Sequence, residues 1–290
     1  MRGETEMLGL LLEAARTDER VRAAYMNGSR TNPQAPKDIY RDYDIVFVVT
    51  ETGSFLADKG WIRRFGTPLI VQEPDWNDVQ TENSGGMDFS RRYAWLMLFD
   101  DGNRIDLTIE IREEAIRRFS ADTLTVLLLD KDGLLPAIPP PTDAAYHVQP
   151  PTAGEFAACC NDFWWCLNNV AKGLARDELP YAMTMLNAVV REQLDKVTEW
   201  YIGTRTGFGV SAGKMGKYFK KYLPQEIYEQ YISTYAGGNP EDIWKAVFAM
   251  CGLFHTLALP VAAHGGFSYR QDEEDGIREY LRSVRERRYG

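Results

Sequence analysis

Two aspartates, Asp42 and Asp44, stand two residues apart at the start of the apolar run DIVFVV, and a Gly28-Ser29 pair precedes them by about a dozen residues. A third aspartate, Asp106, lies in a second alternating run, NRIDLTIEI. Side chains two apart on a strand share a face, so Asp42 and Asp44 project together if their strand begins by residue 42. Their oxygens suit one or two hard divalent cations such as Mg²⁺. In NRIDLTIEI the alternation buries Ile105, Leu107, Ile109 and Ile111 and groups Asp106 with Arg104, Thr108 and Glu110 on the opposite face. On a neighbouring antiparallel strand, Asp106 would complete an oxygen-rich site. Carboxylates this close repel strongly unless a cation sits among them. A glycine lets the backbone approach a phosphate, and exposed amides with a hydroxyl can hold its oxygens. An aspartate pair alone is common and means little; the glycine turn and the third carboxylate together point to phosphate chemistry at a metal.

The elements that must carry these residues follow from periodicity. Residues 5–18 repeat apolar side chains at helical spacing, and 21–27, 44–49 and 67–72 have strand character. Residues 73–90 lack periodicity and are expected to be loop. Asp101-Gly102 separates two strand-like runs, a strong hairpin signal. A short helix near 112–119 and a strand at 125–130 complete this half. Six prolines between Pro136 and Pro151 exclude helix or central strand there. The spacing therefore predicts an α+β fold, with an N-terminal domain over 1–135 built on a mixed β-sheet, a proline-rich junction over 136–151, and an α-helical domain over 152–290. In that last domain, Phe156, Cys159, Phe163, Leu167, Val170 and Leu174 mark one apolar face. The segments 180–202, 213–222, 225–235, 240–258 and 273–287 also have helical pattern.

Composition removes several function classes. The chain of 290 residues carries a formal charge of -9, concentrated in residues 1–150, where 25 acidic face 17 basic side chains. Such a field repels a phosphate backbone and attracts metal ions and cationic small molecules, so no nucleic-acid partner is expected. The acidic N-terminal helix fails as a signal peptide, and no run approaches the roughly 18–20 uninterrupted apolar residues of a membrane span. Cys159, Cys160, Cys166 and Cys251 form no metal-ligand spacing and read as reduced core residues of a cytoplasmic protein. The oligomeric state is left open, with a monomer slightly favoured. GVSAGKMG fails as a phosphate-binding P-loop, because Phe208 and Met215 occupy the required glycine and Ser/Thr positions. Lys214 and Lys217, three apart at an expected helix start, are candidates for nucleotide phosphates or simply a solvated basic face. On the helix after residue 155, Asp162 and Trp165 share a polar face with Asn169, Lys172 and Arg176, where a tryptophan suggests a pocket wall.

The pattern Gly28-Ser29, Asp42-x-Asp44 and Asp106 resembles the nucleotidyltransferase fold of the DNA polymerase β superfamily. More closely, the chain resembles the bacterial aminoglycoside 6-adenylyltransferases that inactivate streptomycin. That resemblance rests on GSR with RDYDI, LMLFDDGNRIDLT, DKDG, YHVQPPTAGEFAACCNDFWW, VAKGLARDEL and GKMGKYFKKYL, and covers nearly the whole length. It implies transfer of AMP from ATP to a streptomycin hydroxyl with release of pyrophosphate, assisted by Mg²⁺, as two ions. By the same resemblance Asp42 and Asp44 are metal ligands, and Asp106 ligates a metal or accepts the hydroxyl proton. Gly28, Ser29 and, more weakly, Arg30 would hold the triphosphate. Asp162 would pair with a guanidinium of streptomycin, with Trp164 and Trp165 against its rings. Two other readings stay open on sequence: an adenylyltransferase for another acceptor, and a non-catalytic nucleotide-binding module.

Overall fold

The computed structural model describes residues 1–80 and 88–289, which form two compact units, Met1–Ala145 and Tyr146–Gly290. The division falls inside the proline-rich stretch.

In the first unit, α1 (Glu4–Thr17) leads into β1 (Val21–Asn27), a tight 3₁₀ turn at Gly28–Arg30, β2 (Tyr43–Val49), α2 (Gly53–Ala57), β3 (Pro68–Gln72), α3 (Pro74–Gln80), β4 (Arg92–Phe99), β5 (Arg104–Ile111), α4 (Arg112–Arg118) and β6 (Thr125–Asp130). The six strands form one sheet in the order β3-β4-β5-β2-β1-β6. All neighbours are antiparallel except β2 and β5, which are parallel. The expected antiparallel relation between the strands bearing Asp44 and Asp106 is therefore corrected. β5 does pair antiparallel with β4 through the Asp101-Gly102 turn, but its other neighbour is β2, with Asp44 beside Asp106 in register.

Alternation sends Ile45, Phe47 and Val49 with Ile105, Leu107 and Ile109 to one face, where they pack with Met7 and Leu11 of α1 and with Trp61 and Trp95. The opposite face carries a smaller cluster of Tyr25, Val46, Val48, Ala115 and Phe119. Asp44 and Asp106 lie on that second face, at the starting ends of β2 and β5, two residues before Val46 and Thr108. Glu110, on the same face, is buried and accepts a 2.6 Å hydrogen bond from the Tyr25 hydroxyl. Residues 73–90 are not all loop: Pro74–Gln80 is helical, with Asp75 in the first turn, and 81–87 lie outside the described residues.

The second unit is helical: α5 (Ala153–Ala175), α6 (Leu179–Thr184), α7 (Arg191–Thr206), α8 (Phe219–Tyr222), α9 (Gln225–Ser233), α10 (Pro240–Gly265) and α11 (Gln271–Tyr289). A π-helical stretch, Met185–Val190, makes α6 and α7 continuous. α5 starts on a capping box in which the Thr152 hydroxyl accepts from the Glu155 amide and the Glu155 carboxylate accepts from the Thr152 amide. α10 is long and apolar enough to cross a membrane by composition, closer to that limit than the sequence reading allowed. Its side chains Trp244, Val247, Met250, Phe254 and Leu257 fill the core of this unit, with Phe254 stacked on Phe163 at 3.7 Å. The helix expected over 213–222 is broken: Gly213, Met215 and Gly216 all have positive φ, so only a short 3₁₀ turn and α8 form.

Candidate active site

The turn after β1 is built around Gly28, whose φ is +77°. Thr31 closes it by donating its amide and its hydroxyl to the Gly28 carbonyl, at 3.1 and 2.8 Å. The same turn passes directly over Asp44. A Cβ added to Gly28 would lie 2.1 Å from Asp44 Oδ2. The glycine is thus required twice, by its backbone conformation and by the carboxylate against it.

β2 begins at Tyr43, one residue later than joint projection of Asp42 and Asp44 from a strand demands. Asp42 lies in the loop just before β2, with its side chain 37% exposed. Arg104, two before Asp106 on β5, donates to it twice at 2.7 Å, and its third nitrogen lies 3.5 Å from Asp42 Oδ2. Burial first, then the charges of Asp106 and Asp42, push the Asp44 carboxyl up to about 6, against partial relief from Arg104 and Arg30. A carboxylate held out of water beside two others, under a glycine turn, is short of positive charge.

Arg30 has a different position from the one expected of a phosphate ligand. Its side chain is buried, stacked over the Tyr43 ring at 3.6 Å, and donates to the carbonyls of Asp42 and Arg41 at 3.0 and 2.7 Å. Those bonds tie the Gly28–Arg30 turn to the segment that carries both aspartates. Ser29 is half-buried in the middle of the turn. Sequence reading also passed over Asn27, which ends β1 opposite Asp44 and whose Oδ1 accepts from the Thr125 hydroxyl at 2.9 Å. Its place one residue before the glycine was the available signal.

In the second unit, Asp162 and Trp165 are exposed on α5, Trp165 by 68%. Trp164 is corrected: it is core, edge-on to Phe163 and Phe254, and cannot pack against a substrate. The step of about 100° between successive helical residues turns Trp164 into the core and Trp165 out of it. Lys214 and Lys217 are exposed on the broken turn, not at a helix start.

A glycine turn leading from one strand of a mixed sheet onto strand-borne carboxylates is the arrangement of a nucleotidyltransferase. Comparison with known proteins makes the class narrower. The family model described as streptomycin adenylyltransferase matches residues 1–284, and the chain belongs to that family. An aminoglycoside 6-adenylyltransferase of Bacillus subtilis (strain 168) is 36% identical over 98% of both chains. One of Campylobacter jejuni is 38% identical over 93% of this chain and 91% of that one, and one of Staphylococcus aureus 32% over 98% and 99%. A crystal structure of an aminoglycoside 6-adenyltransferase from Bacillus subtilis matches 98% of this chain and 99% of its own at 31% identity, with a TM-score of 0.48.

Proposed function

We propose that this nucleotidyltransferase transfers AMP from ATP to the 6-hydroxyl of streptomycin, releases pyrophosphate, and so confers resistance, working in the cytoplasm where ATP is plentiful. The observation that carries the reading is the close approach of Gly28 to Asp44, itself in register with Asp106: a phosphate-approaching turn lies against a desolvated carboxylate with a second one on the neighbouring strand. The Gly28 backbone and Ser29 hold the triphosphate, while Asp42, Asp44 and Asp106 hold Mg²⁺. The residues fit that ion in kind: all three are hard oxygen donors, and the charge of Asp44 is only partly compensated by Arg104 and Arg30. Bound there, the metal would neutralise charge at the α-phosphate and orient the leaving pyrophosphate. Lys214 and Lys217 are further candidates for the nucleotide. Pyrophosphate release from ATP, scored against a panel of aminoglycosides, tests the assignment. Release dependent on streptomycin is expected; none with streptomycin would reject the acceptor, and none with any acceptor would reject the reaction.

Asp162 and Trp165 are the proposed acceptor contacts in the second unit. Because Asp162 is exposed, losing its pairing with a guanidinium costs only about 0.2–1 kcal/mol. Asp162→Asn is therefore expected to raise the streptomycin KM by up to about fivefold while the ATP KM stays put. Steady-state kinetics with each substrate varied in turn check this, and an unchanged streptomycin KM removes Asp162 from the acceptor site.

A further inference from the structure

Asp106 does not present an open carboxylate. Arg104 Nε bonds its Oδ1 and Nη2 its Oδ2, both at 2.7 Å, so a planar guanidinium covers both oxygens in a fork. The remaining nitrogen of the same group, Nη1, leans on Asp42 Oδ2 at 3.5 Å. One positive charge thus spans two of the three carboxylates proposed to hold the metal. Among the described residues no three His, Cys, Asp or Glu side chains converge on one metal position as they stand. The fork gives a physical reason: oxygens aimed at a guanidinium are not aimed at a common point. Arg104 keeps 43% of its side chain exposed, so it can release Asp106 into water without burying a charge.

We infer that Arg104 is a built-in counter-ion of these carboxylates, and that a divalent cation loads by exchanging with it. The inference rests on the reading of Asp106 as a metal ligand. Exchange has a directional consequence. If the cation binds only molecules whose fork has opened, its apparent affinity is the intrinsic one reduced by the open fraction. Removing the arginine should then tighten metal binding, whereas loss of a merely structural arginine would weaken it or leave it unchanged.

The test is Mn²⁺ titration of the nucleotide-free full chain, followed by electron paramagnetic resonance, for wild type, Arg104→Gln, Arg104→Lys and Asp106→Asn. Arg104→Gln is expected to bind Mn²⁺ about tenfold more tightly, the scale of one charge-assisted fork. Arg104→Lys, which keeps the charge but loses the fork, should fall between it and wild type. In chelator, Arg104→Gln should melt below wild type, and Mn²⁺ should raise its melting temperature more than that of wild type. Weakened binding in Asp106→Asn with unchanged or weaker binding in Arg104→Gln overturns the exchange and leaves the metal site standing. Unchanged binding in Asp106→Asn removes Asp106 as a ligand, and the exchange with it. Should Arg104→Gln fail to fold, Arg104→Lys carries the test: binding no tighter than wild type overturns the exchange.

Discussion

Replacing Gly28 by alanine removes adenylyl transfer while the protein stays folded. Two costs meet at this position. A side chain at φ +77° is strained by about 1–2 kcal/mol, which a unit of this size absorbs. The second cost falls on the site, because the new methyl would lie 2.1 Å from Asp44 Oδ2 and 2.9 Å from its Cγ. Either the carboxylate swings away or the turn lifts off it, and both separate the proposed phosphate loop from the proposed metal ligands. A displacement near 1 Å typically costs about 10²-fold in rate, so kcat should fall by at least that much. Gly133→Ala separates the two costs. Its φ is +64°, but an added Cβ meets nothing within 4 Å, so it carries the backbone penalty alone. Similar losses of melting temperature are expected in both variants, with near-normal kcat only in Gly133→Ala. Turnover within tenfold of wild type in Gly28→Ala would mean that the turn and Asp44 do not act together.

That meeting of turn and carboxylate was legible in the sequence, because the signals are local: a glycine after a strand, and aspartates in phase with an alternating run. β1 and β6 were legible for the same reason, each being bounded by polar residues. Pairing was not legible. The hairpin at Asp101-Gly102 identifies one neighbour of β5, but nothing in a two-residue period says that the other is β2, or that they run parallel. Glu110 shows the same limit. Alternation gives its face correctly and says nothing of Ala115 and Phe119, which pack over that face and leave Tyr25 as its partner. The surroundings of Arg30 were not legible either, because they depend on Tyr43 and on two carbonyls more than ten residues away. The break within 213–222 was signalled by Gly213 and Gly216, whose positive φ ends a helix, beneath a segment that otherwise has helical pattern.

Asp44→Asn is expected to abolish turnover and, without metal, to stabilise the fold. Loss of a group that stabilises transition-state charge costs on the order of 10²–10³ in kcat or more. The stability effect follows from the raised Asp44 carboxyl, which moves from 3.8 in the free side chain to about 6. Below pH 4 the group is protonated in folded and unfolded chains alike and contributes no difference. Between about 4 and 6 the unfolded chain has released the proton and the folded chain retains it, so stability falls as pH rises. Above 6 the loss is complete, at about 3 kcal/mol for a shift near two units. Asparagine has no proton to lose. In chelator, Asp44→Asn and wild type should therefore melt alike near pH 4 and diverge up to pH 7.5, where the variant melts higher by about 5–10 °C. Added Mn²⁺ should close the gap by stabilising wild type alone, because a cation supplies the charge that burial and the neighbouring aspartates leave uncompensated. An asparagine variant that melts below wild type in chelator at pH 7.5 would show that Asp44 already has its counter-charge within the protein, and would remove the electrostatic reason for a metal at this site.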